Sequence, residues 1–148
     1  MRGTDEKDPY NLQRFVEAQN PVFPQVCAEL REGRKRGHWM WFIFPQLQGL
    51  GYSPMARRYA IASLEEANAY LKHPILGPRL KECCRLVTLI EGCGIEEIFG
   101  DPDYMKFRSS MTLFARATAE NQVFTSALNK YFEGEFDPLT LERLGGDH

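Results

Sequence analysis

The sequence predicts an all-α protein, a single compact domain of seven or eight short helices. Three observations carry that prediction. A short oxygen-bearing residue followed by proline occurs at Asp8-Pro9, Ser53-Pro54, Asp101-Pro102 and Asp137-Pro138. In such a pair the side-chain oxygen caps free N–H groups, and proline fills the first helical position, where no N–H is needed. Apolar residues then recur three and four places apart, the period of a helix with one buried face. Strict alternation, the mark of a half-buried strand, is missing over any useful length.

The elements follow in order. After Pro9, Leu12, Phe15, Val16 and Gln19 share a face. Phe23, Val26, Cys27 and Leu30 form a second stripe, which Gly33 closes as a helix stop. Ser53-Pro54 starts a third helix. Ser63-x-x-Glu66 is a capping box ahead of Leu64, Ala67, Tyr70 and Leu71, and that helix ends at His73, before Pro74. The longest stripe runs through Leu76, Leu80, Cys83, Cys84, Val87 and Ile90 and stops at Gly92 and Gly94. Tyr104, Phe107, Met111, Phe114 and Ala115 follow Pro102. Phe124, Leu128, Tyr131 and Phe132 precede Gly134, and Leu139, Leu141 and Leu144 follow Pro138.

One block escapes this logic. Trp39-Met40-Trp41-Phe42-Ile43-Phe44 is continuously apolar, so periodicity leaves a short extended segment and a helical turn equally open. It must be buried in either case. Pro45, Gly49 and Gly51 keep it from growing into a long element.

The chain has 148 residues, which fits one domain over 1–148 with about 1–7 and 145–148 frayed. Hydrophobic residues make up 43% and charged residues 26%, an ordinary globular balance. A net charge of −2 disfavours bulk capture of nucleic acid or of an anionic membrane. The N-terminus MRGTDEKDPY has no apolar core of a leader, and no apolar run nears the ~20 residues of a membrane helix. Cys27, Cys83, Cys84 and Cys93 show no Cys-x-x-Cys, and adjacent Cys83 and Cys84 suit a disulfide poorly. Reduced thiols in a cytoplasmic protein are the expectation. Three histidines and four cysteines show no ligand spacing, so neither metal nor cofactor is expected.

Long phrases carry a resemblance. GRKRGHWMWFIFPQLQGLGYSP, YAIASLEEANAYLKHPILGPRLKECCRLV, IFGDPDYMKFRSSMTLF and KYFEGEFDPLTL together resemble an uncharacterised, mostly helical bacterial domain family of unknown function. The resemblance covers residues from about 12 to 144. It implies a helical fold and a cytoplasmic bacterial protein, and it implies no reaction and no catalytic residue. Some members carry the label calpastatin. Inhibitors of that type are disordered, whereas this chain has 12% aromatic residues and clear helix patterning, so the label has no functional meaning here.

The candidate site is assembled from what remains. His38 lies between the cations Arg34, Lys35 and Arg36 and the apolar block, where it could donate a proton or bind phosphate. A lone histidine more often closes a loop by bonding to a backbone carbonyl. Arg34 offers a fork for an anion, or simply a charge at a helix C-terminus. The loop 49–54 opens onto a helix N-terminus at Ser53, without the signature of a phosphate loop. Lys106, Ser109 and Ser110 share a helix face that lines a cleft, faces water, or lets another helix approach closely over its small serines. Neither serine has the context of a nucleophile.

The best reading is a binding protein, or small hydrolase, for a phosphorylated or nucleotide-like ligand. Its pocket lies between segment 34–59 and the polar face at 106–110, with Trp41 and Gln46 as further lining. The alternative is a non-catalytic helical interaction module, self-associating as a homodimer through exposed aromatics. Nucleic-acid binding through Arg34, Lys35, Arg36, Arg57 and Arg58 around Tyr52 and Tyr59 ranks below both.

Overall fold

A computed structural model describes residues 8–145, so the ends expected to fray lie outside it, Gly145 excepted. Among these residues are ten helices and no strand. They are α1 (Gln13–Gln19), α2 (Phe23–Glu32), α3 (Met40–Ile43), α4 (Pro54–Arg58) and α5 (Leu64–Lys72), then α6 (Leu76–Leu89), α7 (Ile95–Phe99), α8 (Asp103–Ala117), α9 (Gln122–Phe132) and α10 (Pro138–Arg143). One parallel bridge, Leu47 with Ile61, ties the loop after α3 to the one after α4.

The proline device works in two of four places. Ser53 accepts from Ala56 N at 3.1 Å and Asp137 accepts from Thr140 N at 2.9 Å, each with proline at the first helical position. Asp8 also captures N–H groups, of Leu12 at 2.7 Å and Gln13 at 2.9 Å, but across a turn, so Pro9 stands outside α1. At Asp101-Pro102 the peptide is cis and Pro102 takes the cap position itself, with no capping side chain. Glu66 fills half of the expected box. Ser63 Oγ accepts its N–H at 3.1 Å, while its carboxylate reaches past Ser63 to Ala62 N at 2.9 Å. Gly33 closes α2 in the left-handed region, at φ 82°.

Two elements go beyond the sequence reading. The block 39–44 resolves as a single turn, α3, which needs no strand partner for its N–H groups. α7 was not foreseen, because five residues show no period; Glu97 Oε1 accepts Gly94 N at 2.7 Å and starts it.

α8 is the central helix. It packs against α5, α7, α9 and α10, and from Phe107 to Ala115 it buries every residue but Arg108. Three of those buried residues, Ser109, Ser110 and Thr112, carry hydroxyls into the core beside the apolar side chains. α6 packs against α2, α5 and α9. α9 also seals the end of α6: Lys130 Nζ donates to the carbonyls of Thr88 and Ile90, and Tyr131 OH to that of Val87. Aromatic rings fill the core in two separate clusters. Phe44 meets Phe107 edge-on at 5.0 Å, Phe107 stacks on Phe99 at 4.9 Å, and Tyr70 bridges Phe15 (5.1 Å) and Phe114 (5.3 Å).

The turn between α5 and α6 is close-packed. A Cβ on Gly77 would fall on the backbone carbonyl of Leu71. Gly77→Ala is therefore expected to cost about 1–3 kcal/mol by overpacking, read as a lower denaturation midpoint at unchanged slope.

Candidate functional site

The cationic run after α2 is organised by a buried carboxylate. Glu29, 6% exposed, accepts through Oε1 from Arg36 N (2.8 Å), Gly37 N (3.0 Å) and Trp39 Nε1 (3.0 Å), and through Oε2 from Gln25 Nε2 (2.8 Å). Burial alone would raise its pKa. The hydrogen bonds from Arg36, Gln25, Gly37 and Trp39 together outweigh burial and hold it down at about 2. Lys35 is equally engaged. Its ammonium lies 2.9 Å from Asp103 Oδ2, donates to Gly37 O at 2.6 Å and sits 5.2 Å over the Trp39 ring.

This clamp decides where the sequence candidates go. Trp39 is turned inward, 1% exposed, while Trp41 is only half-buried. His38 is thrown outward, exposed, with no side-chain hydrogen bond among the described residues. Arg34 is also exposed and lines a separate hollow of about 410 Å³ beside Glu96, Glu97 and Gly100. Ser110 points into the core at 0% exposure, its Oγ without a partner among the described residues. Arg34, His38 and Ser110 therefore do not share a wall with the other candidates.

The remaining candidates do meet. Gln46, Ser53, Lys106 and Ser109 line one cleft of about 400 Å³ between loop 46–53 and helices α8 and α10. Its apolar walls come from Leu50, Tyr52, Met105 and Leu139. Three of these are among the large hydrophobic residues left exposed: Tyr52 at 76%, Leu139 at 61% and Met105 at 39%. Trp41 stands just behind, with Lys106 Nζ 5.7 Å over its ring and 3.6 Å from Asp103 Oδ1.

The cleft contains one residue that sequence reasoning placed only as a cap. Asp137, 5% exposed, lines it. Its Oδ2 accepts from Thr140 N, from Thr140 Oγ1 at 2.6 Å and from Ser109 Oγ at 3.3 Å; its N–H donates to Thr112 Oγ1 at 2.8 Å. Oδ1 has no hydrogen-bond partner among the described residues, and neither has the Gln46 carboxamide. Arg108 presents Asp137 by donating to Glu135 O and Phe136 O while lying over the Phe132 ring. The signal in the sequence was two hydroxyl-bearing pairs, Ser109 with Thr112 and Asp137 with Thr140, each at i, i+3; their meeting is a tertiary fact.

A second hollow of about 410 Å³ adjoins the cleft, sharing Gln46, Gly51, Tyr52 and Ala56 with it and adding Arg57 and Ala60. Arg143 pins loop 46–53 to α10: its Nε donates to Gln48 O at 2.9 Å and its guanidinium covers Gly49, which stands at φ 97°.

Cys27, Cys83 and Cys84 are free and buried, and Cys93 is free and partly buried. Burial pushes the Cys84 thiol well up. No group of three or more His, Cys, Asp or Glu residues among those described is placed to hold a metal ion. No described helix is long and apolar enough to cross a membrane.

Residues 9–144 match the model of a family described as proteins of unknown function (DUF1810). The crystal structure of the conserved hypothetical protein Rv1873 from Mycobacterium tuberculosis is similar throughout, with 61% identity, a TM-score of 0.93, and coverage of 95% of this chain and 100% of that one. No curated protein matches.

Proposed function

The chain belongs to the DUF1810 family, whose function is unknown, and from that starting point we propose that the cleft between loop 46–53, α8 and α10 binds a small nucleotide-like ligand. The observation that carries this reading is the convergence of exposed Tyr52, Met105 and Leu139 on one hollow that also holds Lys106. Its volume lies within the range of ligand pockets, about 300–1,000 Å³, and its make-up is the usual one, apolar walls with a few polar groups. Tyr52 and Leu139 would take the flat face of a base, and Lys106 the anionic end. The four free thiols suit a reducing compartment, the cytoplasm.

The reading stops at binding. Ser109 shares its proton with Met105 O and Asp137, and no histidine lines the cleft, so nothing there activates a nucleophile.

A thermal-shift panel of nucleoside 5′-monophosphates tests the proposal. A ligand at about 100 times its dissociation constant stabilises by about 2.7 kcal/mol. Tyr52→Ala should abolish the shift while leaving the unliganded melting temperature within about 1 °C, because Tyr52 is 76% exposed. The same exposed rim favours a second reading, a self-associating surface. A chain that ignores every nucleotide and sediments as a dimer dissociated by Tyr52→Ala would establish it instead.

A further inference from the structure

We infer that Asp137 is the specificity-determining group of this cleft, and that it selects ligands presenting a sugar hydroxyl. The inference rests on the nucleotide-binding reading above and adds the part of the ligand that the floor would recognise. Asp137 is 5% exposed, yet it lines the cleft. One of its oxygens is saturated, taking Thr140 N, Thr140 Oγ1 and Ser109 Oγ, and the other takes nothing among the described residues. That second oxygen is not sealed off from solvent, so a ligand hydroxyl can take the place of water on it.

The carboxylate is also held still. Thr140, Ser109 and the Thr112 hydroxyl that accepts Asp137 N fix it on three sides, from two helices. A carboxylate fixed in this way gives a hydrogen bond with no ordering cost at the moment of binding.

The neighbours choose the donor. Lys106 lines the same cleft, so an ammonium-bearing ligand would meet a like charge. A hydroxyl meets none. It donates to Asp137 Oδ1, and the unpartnered Gln46 carboxamide can donate to, or accept from, a second hydroxyl beside it. Adjacent hydroxyls on a sugar ring are the ligand feature that uses both groups, with the base against Tyr52.

The test varies the ligand first. Binding of ribonucleoside 5′-monophosphates and of their 2′-deoxy counterparts to the wild-type chain is measured by calorimetry. The ribonucleotide should bind about 10–100-fold more tightly, the worth of a hydrogen bond to a charged group. Asp137→Asn, which keeps a good helix cap, should erase that preference by weakening only the ribonucleotide. Equal affinity for both ligands in the wild type overturns the inference and leaves the binding reading standing. A preference that survives in the folded Asp137→Asn chain also overturns it. Absence of binding by every nucleotide removes both.

Discussion

Trp39→Ala should lower the stability of the fold by about 3–5 kcal/mol, the cost of truncating a fully buried large aromatic. Trp39 is 1% exposed, lies 6.3 Å from Phe44 and 6.5 Å from Phe99 between ring centroids, and gives its indole N–H to Glu29. The truncation would leave a cavity against α7 and take one donor from the carboxylate. The neighbouring tryptophan supplies the control. Trp41 is half-buried under Lys106, so Trp41→Ala should cost under about 2 kcal/mol. Urea denaturation of the two variants decides the matter; equal losses would mean that the inward and outward rings are wrongly assigned.

Removal of the Glu29 carboxylate should be nearly as damaging. Glu29→Ala strands the N–H groups of Arg36 and Gly37 and the buried Trp39 indole, at a cost of about 3 kcal/mol or more. The pH dependence isolates the charge. The folded pKa of about 2 lies below the ordinary value of 4.5, so the stabilisation is complete above pH 4.5 and is lost as pH falls through 2. A gap of that size corresponds to roughly 3 kcal/mol. Glu29→Gln should lack this acid limb. A variant whose stability falls with acid as steeply as the wild type would show that other carboxylates carry it.

The sequence disclosed the helices well where local chemistry determines them. Ser53 and Asp137 cap as their neighbours dictate, Gly33 turns left-handed where the stripe of α2 ends, and the long apolar period of α6 survives intact. It disclosed poorly what only tertiary contacts settle. α7 is too short to show a period, and the choice of helix for 39–44 depends on Phe44 finding Phe99 and Phe107. The candidate cleft divides in the same way. Gln46, Ser53, Lys106 and Ser109 come together because loop 46–53 folds back over α8, whereas His38 and Arg34 leave because Glu29 grips the backbone between them. That grip requires an acid seven and eight residues upstream of two N–H groups, which no residue-type pattern announces. Asp137 read correctly as a cap, and its open oxygen became visible only with α8 beside it.

Two hollows that draw lining residues from loop 46–53 in common cannot be independent. Gln46, Gly51, Tyr52 and Ala56 belong to both hollows. A molecule seated in one hollow that moves Tyr52 would alter the affinity of the other, and reciprocity requires the same factor in the reverse direction. Substitutions at the shared residues thus report on both hollows at once. Lys106 or Leu139 speaks for one compartment alone, and Arg57 or Ala60 for its neighbour.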